Sequence, residues 1–217
     1  MSTSKDDEII GYVSRKNLEE LGFLSQHPSI LTSLPEGYIT QLTSHIAWGK
    51  RGPLEHDPEN KQLIPYIILW RSGERGKELF VMTRKRAQRE ARLHDKLSIG
   101  VGGHINPLED DEAEMHGEVI TLNAWRELEE EVSLQGELSW RALRWKPLGL
   151  LNDDRDEVGR VHLGVVFTME IPPDHEVIVR ETDKLEGRWC CPEEIDMERL
   201  ETWSQLSMAS SELEMNS

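Results

Sequence analysis

Apolar positions along this chain fall mostly into runs of strand length, broken by glycine-bearing or polar turns. Leu63 to Trp70 is nearly continuous in apolar and aromatic residues and reads as a buried strand. Ser72-Gly73-Glu74-Arg75-Gly76-Lys77 then reads as a hairpin connection, and Glu78 to Thr83 as the returning strand. Trp145 to Asn152 and Val161 to Ile171 predict two further strands, joined by an acidic run from Asp153 to Gly159. Ile9 to Val13, Ser98 to Ile105 and Glu176 to Arg180 are shorter candidates. Ile30 to Leu34 reads as short helical or irregular, Gly49 to Pro53 as a turn, and residues 54–62 as loop. Helical spacing occurs at Ser14 to Gly22, with a serine cap and a glycine stop, at 118–132, and near Leu200 to Met208. Pro192-Glu193-Glu194-Ile195 reads as a proline-started helix. Strands mixed with helices predict the α+β class.

The helix at 118–132 carries the most chemistry. Its end reads Arg126-Glu127-Leu128-Glu129-Glu130-Glu131-Val132-Ser133-Leu134. At about 100° per residue, Glu127, Glu130 and Glu131 project from one face, and Leu122, Trp125, Leu128 and Val132 fall near the other. Carboxylates converging on one point repel each other, and a hard divalent cation such as Mg²⁺ or Mn²⁺ relieves that repulsion. Arg126 stands four residues before Glu130 and is placed to pair with it.

Charge narrows the partners. The 217 residues carry a net charge of −16, with 30% charged and 37% apolar residues. Such a balance argues against nucleic acid and against anionic membrane surfaces, both of which select basic faces. An anionic small molecule would need a metal ion or local arginines to reverse the field. A basic island, Arg84 to Arg92, offers such arginines, with Arg84, Arg86 and Arg92 as candidates for phosphate. The apolar runs are too short to span a bilayer, the N-terminus shows no signal region, and the two cysteines, Cys190 and Cys191, are adjacent. These features predict a cytoplasmic protein without a disulfide framework.

Upstream of the acidic helix stands Gly102-Gly103-His104, ending an apolar strand where backbone can approach a ligand closely. Taken with Arg126-Glu127-Leu128-Glu129-Glu130-Glu131, this resembles the Nudix box: glycine, five residues, glutamate, seven residues, then Arg-Glu-apolar-any-Glu-Glu-any-Gly-apolar. Glu118 lies seven residues before Arg126, as that pattern asks. Gly103 is the candidate for the first glycine, which requires an insertion of about nine residues around Pro107 to His116. Either Glu109 or Glu118 would be the first glutamate, with Glu118 favoured. Ser133 replaces the glycine after the glutamate pair, so the helix must end without the usual left-handed residue. Gly187-Arg188-Trp189-Cys190-Cys191-Pro192-Glu193-Glu194 is similar to the closing segment of that family.

The resemblance implies an α/β/α sandwich with a mixed sheet, and hydrolysis of a diphosphate linked to another group, commonly in nucleoside diphosphate derivatives. It implies Mg²⁺ or Mn²⁺ held by Glu127, Glu130, Glu131 and the Gly102 carbonyl, with Arg126 as tether. Asp154, Glu157, Glu181 and Glu186 are candidates for a base on a downstream loop, and His104 for substrate contact. Residues 1–58 would then form an extension packed on a hydrolase domain at 59–208, with 209–217 a disordered tail. The partner would be a phosphorylated small molecule, with the attached group and a homodimer left open. A Nudix-fold nucleotide-binding or regulatory module without hydrolysis is the alternative, and the retained glutamates weigh against it. An isomerase on the same fold is disfavoured by the late position of Cys190 and Cys191.

Overall fold

The computed structural model describes residues 4–84, 96–109, 118–136, 138–180, 182–183 and 185–210, with Arg84 through its backbone. Arg86 and Arg92, the acidic stretch 110–114, Glu181 and the tail 211–217 lie outside the described residues. Along the chain run β1 (Ile9–Ser14), α1 (Arg15–Glu20), β2 (Ser29–Leu31), α2 (Tyr38–Thr43), β3 (Ala47–Lys50) and α3 (Arg51–Leu54). Then come β4 (Asn60–Gly73), β5 (Gly76–Arg84), β6 (Leu97–Ser98), β7 (Gly100–Gly102), α4 (Val119–Glu131) and β8 (Val132–Leu134). The chain continues with β9 (Trp145–Asn152), α5 (Glu157–Val161), β10 (His162–Glu170), β11 (Val177–Val179), β12 (Leu185–Cys190) and α6 (Thr202–Met208). This is an α+β protein. Among the described residues no helix is long and apolar enough to cross a membrane.

Two compact units divide the chain, interleaved in sequence. One comprises Met1–Pro65, Gly103–Ala124 and Gly149–Val166; the other comprises Tyr66–Gly102, Trp125–Leu148 and Phe167–Ser217.

In the first unit β1 is paired on both edges. Ile9 to Tyr12 run antiparallel to β3, while Tyr12 to Ser14 pair with the start of β4 at Gln62, Lys61 and Asn60. Ser14 then caps α1, its Oγ accepting from Asn17 N at 3.2 Å, and Gly22 ends that turn at φ +70°. Ile10, Val13, Leu18, Phe23, Leu63 and Ile105 are fully buried in this unit. Three local expectations change. Ser29–Leu31 is a strand rather than a helical or irregular stretch, because Ile30 pairs with Leu151 of β9. Gly149 permits the approach, since a Cβ there would stand 2.3 Å from the Leu31 carbonyl oxygen. The segment expected as a turn at 49–53 instead ends β3 and forms α3, where Pro53 sits in the first turn and its missing N–H costs no hydrogen bond. Asn60 to Gln62, expected as loop, begin β4 because β1 supplies their pairing partners.

The second unit is built on the β4–β5 hairpin, where Gly73 pairs with Gly76 and Gly76 turns at φ +107°. Beyond it, β12 pairs with β5 from Leu185↔Arg84 to Cys190↔Leu79. The glycine strand expected at 98–105 divides in two. Leu97 and Ser98 pair with β5, whereas Gly100 to Gly102 pair with β4 at Ile68 to Tyr66. At the break, Ser98 Oγ donates to the Gly100 carbonyl at 3.0 Å, and Ile99 N donates to Ser204 Oγ at 3.1 Å. The Tyr66 ring lies where a side chain on residue 100 would go, and a Cβ there would meet its Cζ at 2.1 Å. That ring is held by Ser204 Oγ at 2.8 Å and packs edge-on to Trp203 at 5.7 Å. Gly100→Ala should therefore lower stability by about 1–3 kcal/mol in a denaturant titration. Combining it with Tyr66→Leu should cost less than the two single losses added; strict additivity would contradict the clash.

Candidate functional site

The acidic helix α4 grades its carboxylates by burial. Glu127 is buried, Glu131 half-buried, and Glu129 and Glu130 exposed. On its apolar side Leu128 is fully buried, and Trp125 lies 4.8 Å from Trp145, which stacks on Phe167 at 4.4 Å. Arg126 does not make its ion pair where the four-residue spacing placed it. Its Nη2 meets Glu127 Oε1 at 2.7 Å, whereas Glu130 lies exposed. The physical reason is burial: the Glu127 side chain is 12% exposed and gains more from a charged partner than a solvated Glu130 would.

The end of α4 shows how serine replaces glycine in the box. Glu131 is followed directly by β8, and Ser133 takes an extended place opposite Ile178 in the β8–β11 ladder. Arg180 N donates to the Glu131 carbonyl at 2.8 Å, which satisfies a helix-end acceptor. No left-handed residue is required when the chain passes from helix straight into strand.

Elsewhere in the second unit, Gly102 closes β7 opposite Tyr66, and Glu186 is exposed on β12 opposite Thr83. Arg84 ends β5 opposite Leu185. In the first unit Glu118 is exposed at the foot of α4, Gly103 is half-buried, and Glu157 is exposed in the first turn of α5.

Asp154 is corrected as a candidate base. Arg15 donates to both of its oxygens at 3.1 Å, and Lys61 Nζ reaches Oδ1 at 2.6 Å. Partial burial opposes ionisation, but these two cations outweigh it and hold the carboxyl well below the usual carboxylate range. A carboxylate so stabilised is a poor proton acceptor. The Lys61 side chain is wholly buried, bonding also to the carbonyls of Gly159 at 2.9 Å and His162 at 3.2 Å, and burial pulls its pKa below the ordinary lysine value. Gly159 makes this possible, because a Cβ there would meet the Asp153 carbonyl oxygen at 1.8 Å.

A second polar cluster in the first unit has no counterpart in the sequence reading beyond His104. Ligand atoms of Glu55, His104 and His162 lie within 4.8 Å of one another. The two imidazoles approach Nε2 to Nε2 at 3.3 Å, and Gln62 Oε1 stands 2.7 Å from His104 Nε2. Burial lowers the pKa of His162. These residues come from α3 and its exit, β4, the stretch after Gly103, and β10. No spacing rule links positions so far apart, although a histidine opening an apolar strand is a signal that could have been weighed.

Comparison with known proteins decides the family. The NUDIX domain profile matches residues 62–209. The chain belongs to the Nudix family. Protein YmaB of Bacillus subtilis (strain 168) is 40% identical over 160 residues, which cover 72% of this Nudix chain and 73% of YmaB. The crystal structure of Tm1382, a candidate Nudix hydrolase, superposes with a TM-score of 0.71 at 27% identity, covering 93% of this chain and 97% of that one. The α+β fold is thus the Nudix fold, and the protein is a Nudix-type pyrophosphohydrolase.

Proposed function

We propose that this Nudix enzyme hydrolyses the diphosphate bond of a nucleoside diphosphate derivative with the help of Mg²⁺ or Mn²⁺. The observation that carries this reading is the Arg126–Glu131 block intact on one helix, with Glu127 buried against Arg126, Glu131 half-buried and Glu130 exposed. Three carboxylates on one helix form an oxygen-only donor set, which suits a hard divalent cation. Glu127, Glu130 and Glu131 would hold it, with the Gly102 carbonyl. When bound, the ion neutralises diphosphate charge and lowers the pKa of a coordinated water.

The protein's own groups have separable tasks in this reading. Arg126 fixes the Glu127 carboxylate in one orientation. Glu130, exposed and not committed to that ion pair, is the box candidate for taking the proton of the attacking water. Glu186 and Glu157 remain as candidate bases, standing on β12 and in the first turn of α5 rather than on a loop, whereas Asp154 is engaged by two cations. Arg84 is proposed to meet the substrate phosphates, since guanidinium binds phosphate in bidentate fashion. The enzyme is proposed to act in the cytoplasm, with residues 1–58 an elaboration of the hydrolase domain.

A release assay over nucleoside diphosphate sugars, dinucleoside polyphosphates, ADP-ribose and nucleoside triphosphates, each with Mg²⁺ and Mn²⁺, tests the reading. Cleavage between the two phosphoryl groups of at least one diphosphate compound is expected. Tight binding of a panel member without cleavage would favour a nucleotide-binding module instead.

A further inference from the structure

The first unit contains donors that the acidic helix does not use. We propose that Glu55, His104 and His162 form a binding site for a divalent transition metal, with zinc as its foremost ligand.

Geometry supports this. Two nitrogens held about 2.0–2.1 Å from one tetrahedral ion stand about 3.3 Å apart. The Nε2 atoms of His104 and His162 are 3.3 Å apart, so one ion could accept both without rearranging the rings. The tautomer of His162 is also set. Its Nδ1 stands 2.7 Å from the Val158 carbonyl oxygen, which can only accept, so Nδ1 carries the proton and Nε2 presents a lone pair. A backbone carbonyl orienting the far nitrogen of a histidine is the usual outer support of a metal ligand. Glu55 brings the negative charge, and its Oε1 accepts from Arg51 Nε at 2.9 Å, which steadies the carboxylate. Glu55 is partly exposed, which gives the ion a route in.

Gln62 gives the second, independent sign. It is fully buried, and its Oε1 faces His104 at 2.7 Å. Its amide Nε2 is buried with no hydrogen-bond partner among the described residues. A buried amide normally satisfies both ends. Here Oε1 accepts from His104 Nε2–H while the donor end goes unmatched, so the cluster is incomplete as it stands, and a cation bound at Nε2 would take the place of that proton. Two imidazoles and a carboxylate favour zinc or another nitrogen-binding transition ion over Mg²⁺, whose sites are built from oxygen.

Such an ion would tie the exit of α3, the stretch after Gly103 and the start of β10 together. The site includes none of the box glutamates, and it stands or falls separately from the hydrolytic reading.

Calorimetric titration of the full-length protein with zinc, after treatment with a chelator and its removal, tests the proposal. With millimolar Mg²⁺ present to occupy the box glutamates, one equivalent of zinc should still bind. Cobalt in place of zinc should give the visible absorption of a nitrogen-ligated ion. His104→Ala and Glu55→Gln should each weaken zinc binding more than the roughly 10–100-fold that loss of an outer partner costs. Glu55→Gln is the safer variant because Glu55 is partly exposed, and an unchanged circular dichroism spectrum shows that the fold survives. Failure of the parent protein to take up one equivalent of zinc would overturn the proposal. So would unchanged affinity in a folded Glu55→Gln or His104→Ala protein.

Discussion

Asp154→Ala should destabilise the protein by about 2–3 kcal/mol in chemical denaturation, more than other single changes to its charged groups. The cost arises at Lys61 rather than at Asp154. Lys61 is wholly buried, and Asp154 is its ion-pair partner at 2.6 Å. Removing one member of a buried pair leaves a charge without compensation, which typically costs about 3–5 kcal/mol. Two features reduce the figure. The Asp154 side chain is 39% exposed, so water screens part of the interaction, and Lys61 keeps the Gly159 and His162 carbonyls. Lys61→Met alone should cost less, because Asp154 keeps both bonds from Arg15. Adding Lys61→Met to Asp154→Ala should recover part of the loss, since no buried ammonium then remains.

The same contact sets an acid dependence. Asp154 has a folded-state pKa below its unfolded value, so its stabilisation is fully present above the ordinary carboxylate range and is lost as pH falls through and below it. Denaturation midpoints of the parent should decline more steeply below about pH 4 than those of Asp154→Ala. Parallel pH profiles would contradict this assignment.

Glu127→Gln should have the opposite signature, a large loss of activity with a small loss of stability. Glutamine keeps the shape but removes the charge that metal binding requires, so turnover should fall by about a thousandfold, the scale of several kcal/mol in the barrier. Arg126, 38% exposed, loses a partner but not access to water, so stability should change by less than about 1 kcal/mol. A variant that unfolds, or one that retains full turnover, would show that Glu127 serves the core rather than the chemistry.

Much of the architecture was legible because it rests on local signals. The β4–β5 hairpin followed from an apolar run bounded by glycines, α1 from its serine cap and glycine stop, and α4 from helical spacing. The box was legible because its carboxylates lie within six consecutive residues of one helix. Contacts set by tertiary pairing were not. Ser29–Leu31 is a strand only through its partnership with β9, and three residues are too few to show a period. Arg126 has carboxylates at several spacings, and burial of Glu127, which spacing does not encode, decided between them. Lys61 reads as a stray charge until Asp154, 93 positions later, stands beside it. The Glu55–His104–His162 cluster was hidden for the same reason.

The central claim is that the box glutamates hold the ion that drives diphosphate cleavage. Its most direct test is the Mg²⁺-dependent hydrolysis rate of the parent and of Glu131→Gln, measured side by side on the best substrate of the panel. The parent should cut the diphosphate, stop when a chelator is added and resume when Mg²⁺ is restored, while the folded variant shows no measurable turnover at any Mg²⁺ concentration. Equal rates for the two proteins, or cleavage by the parent that persists in excess chelator, would contradict the account.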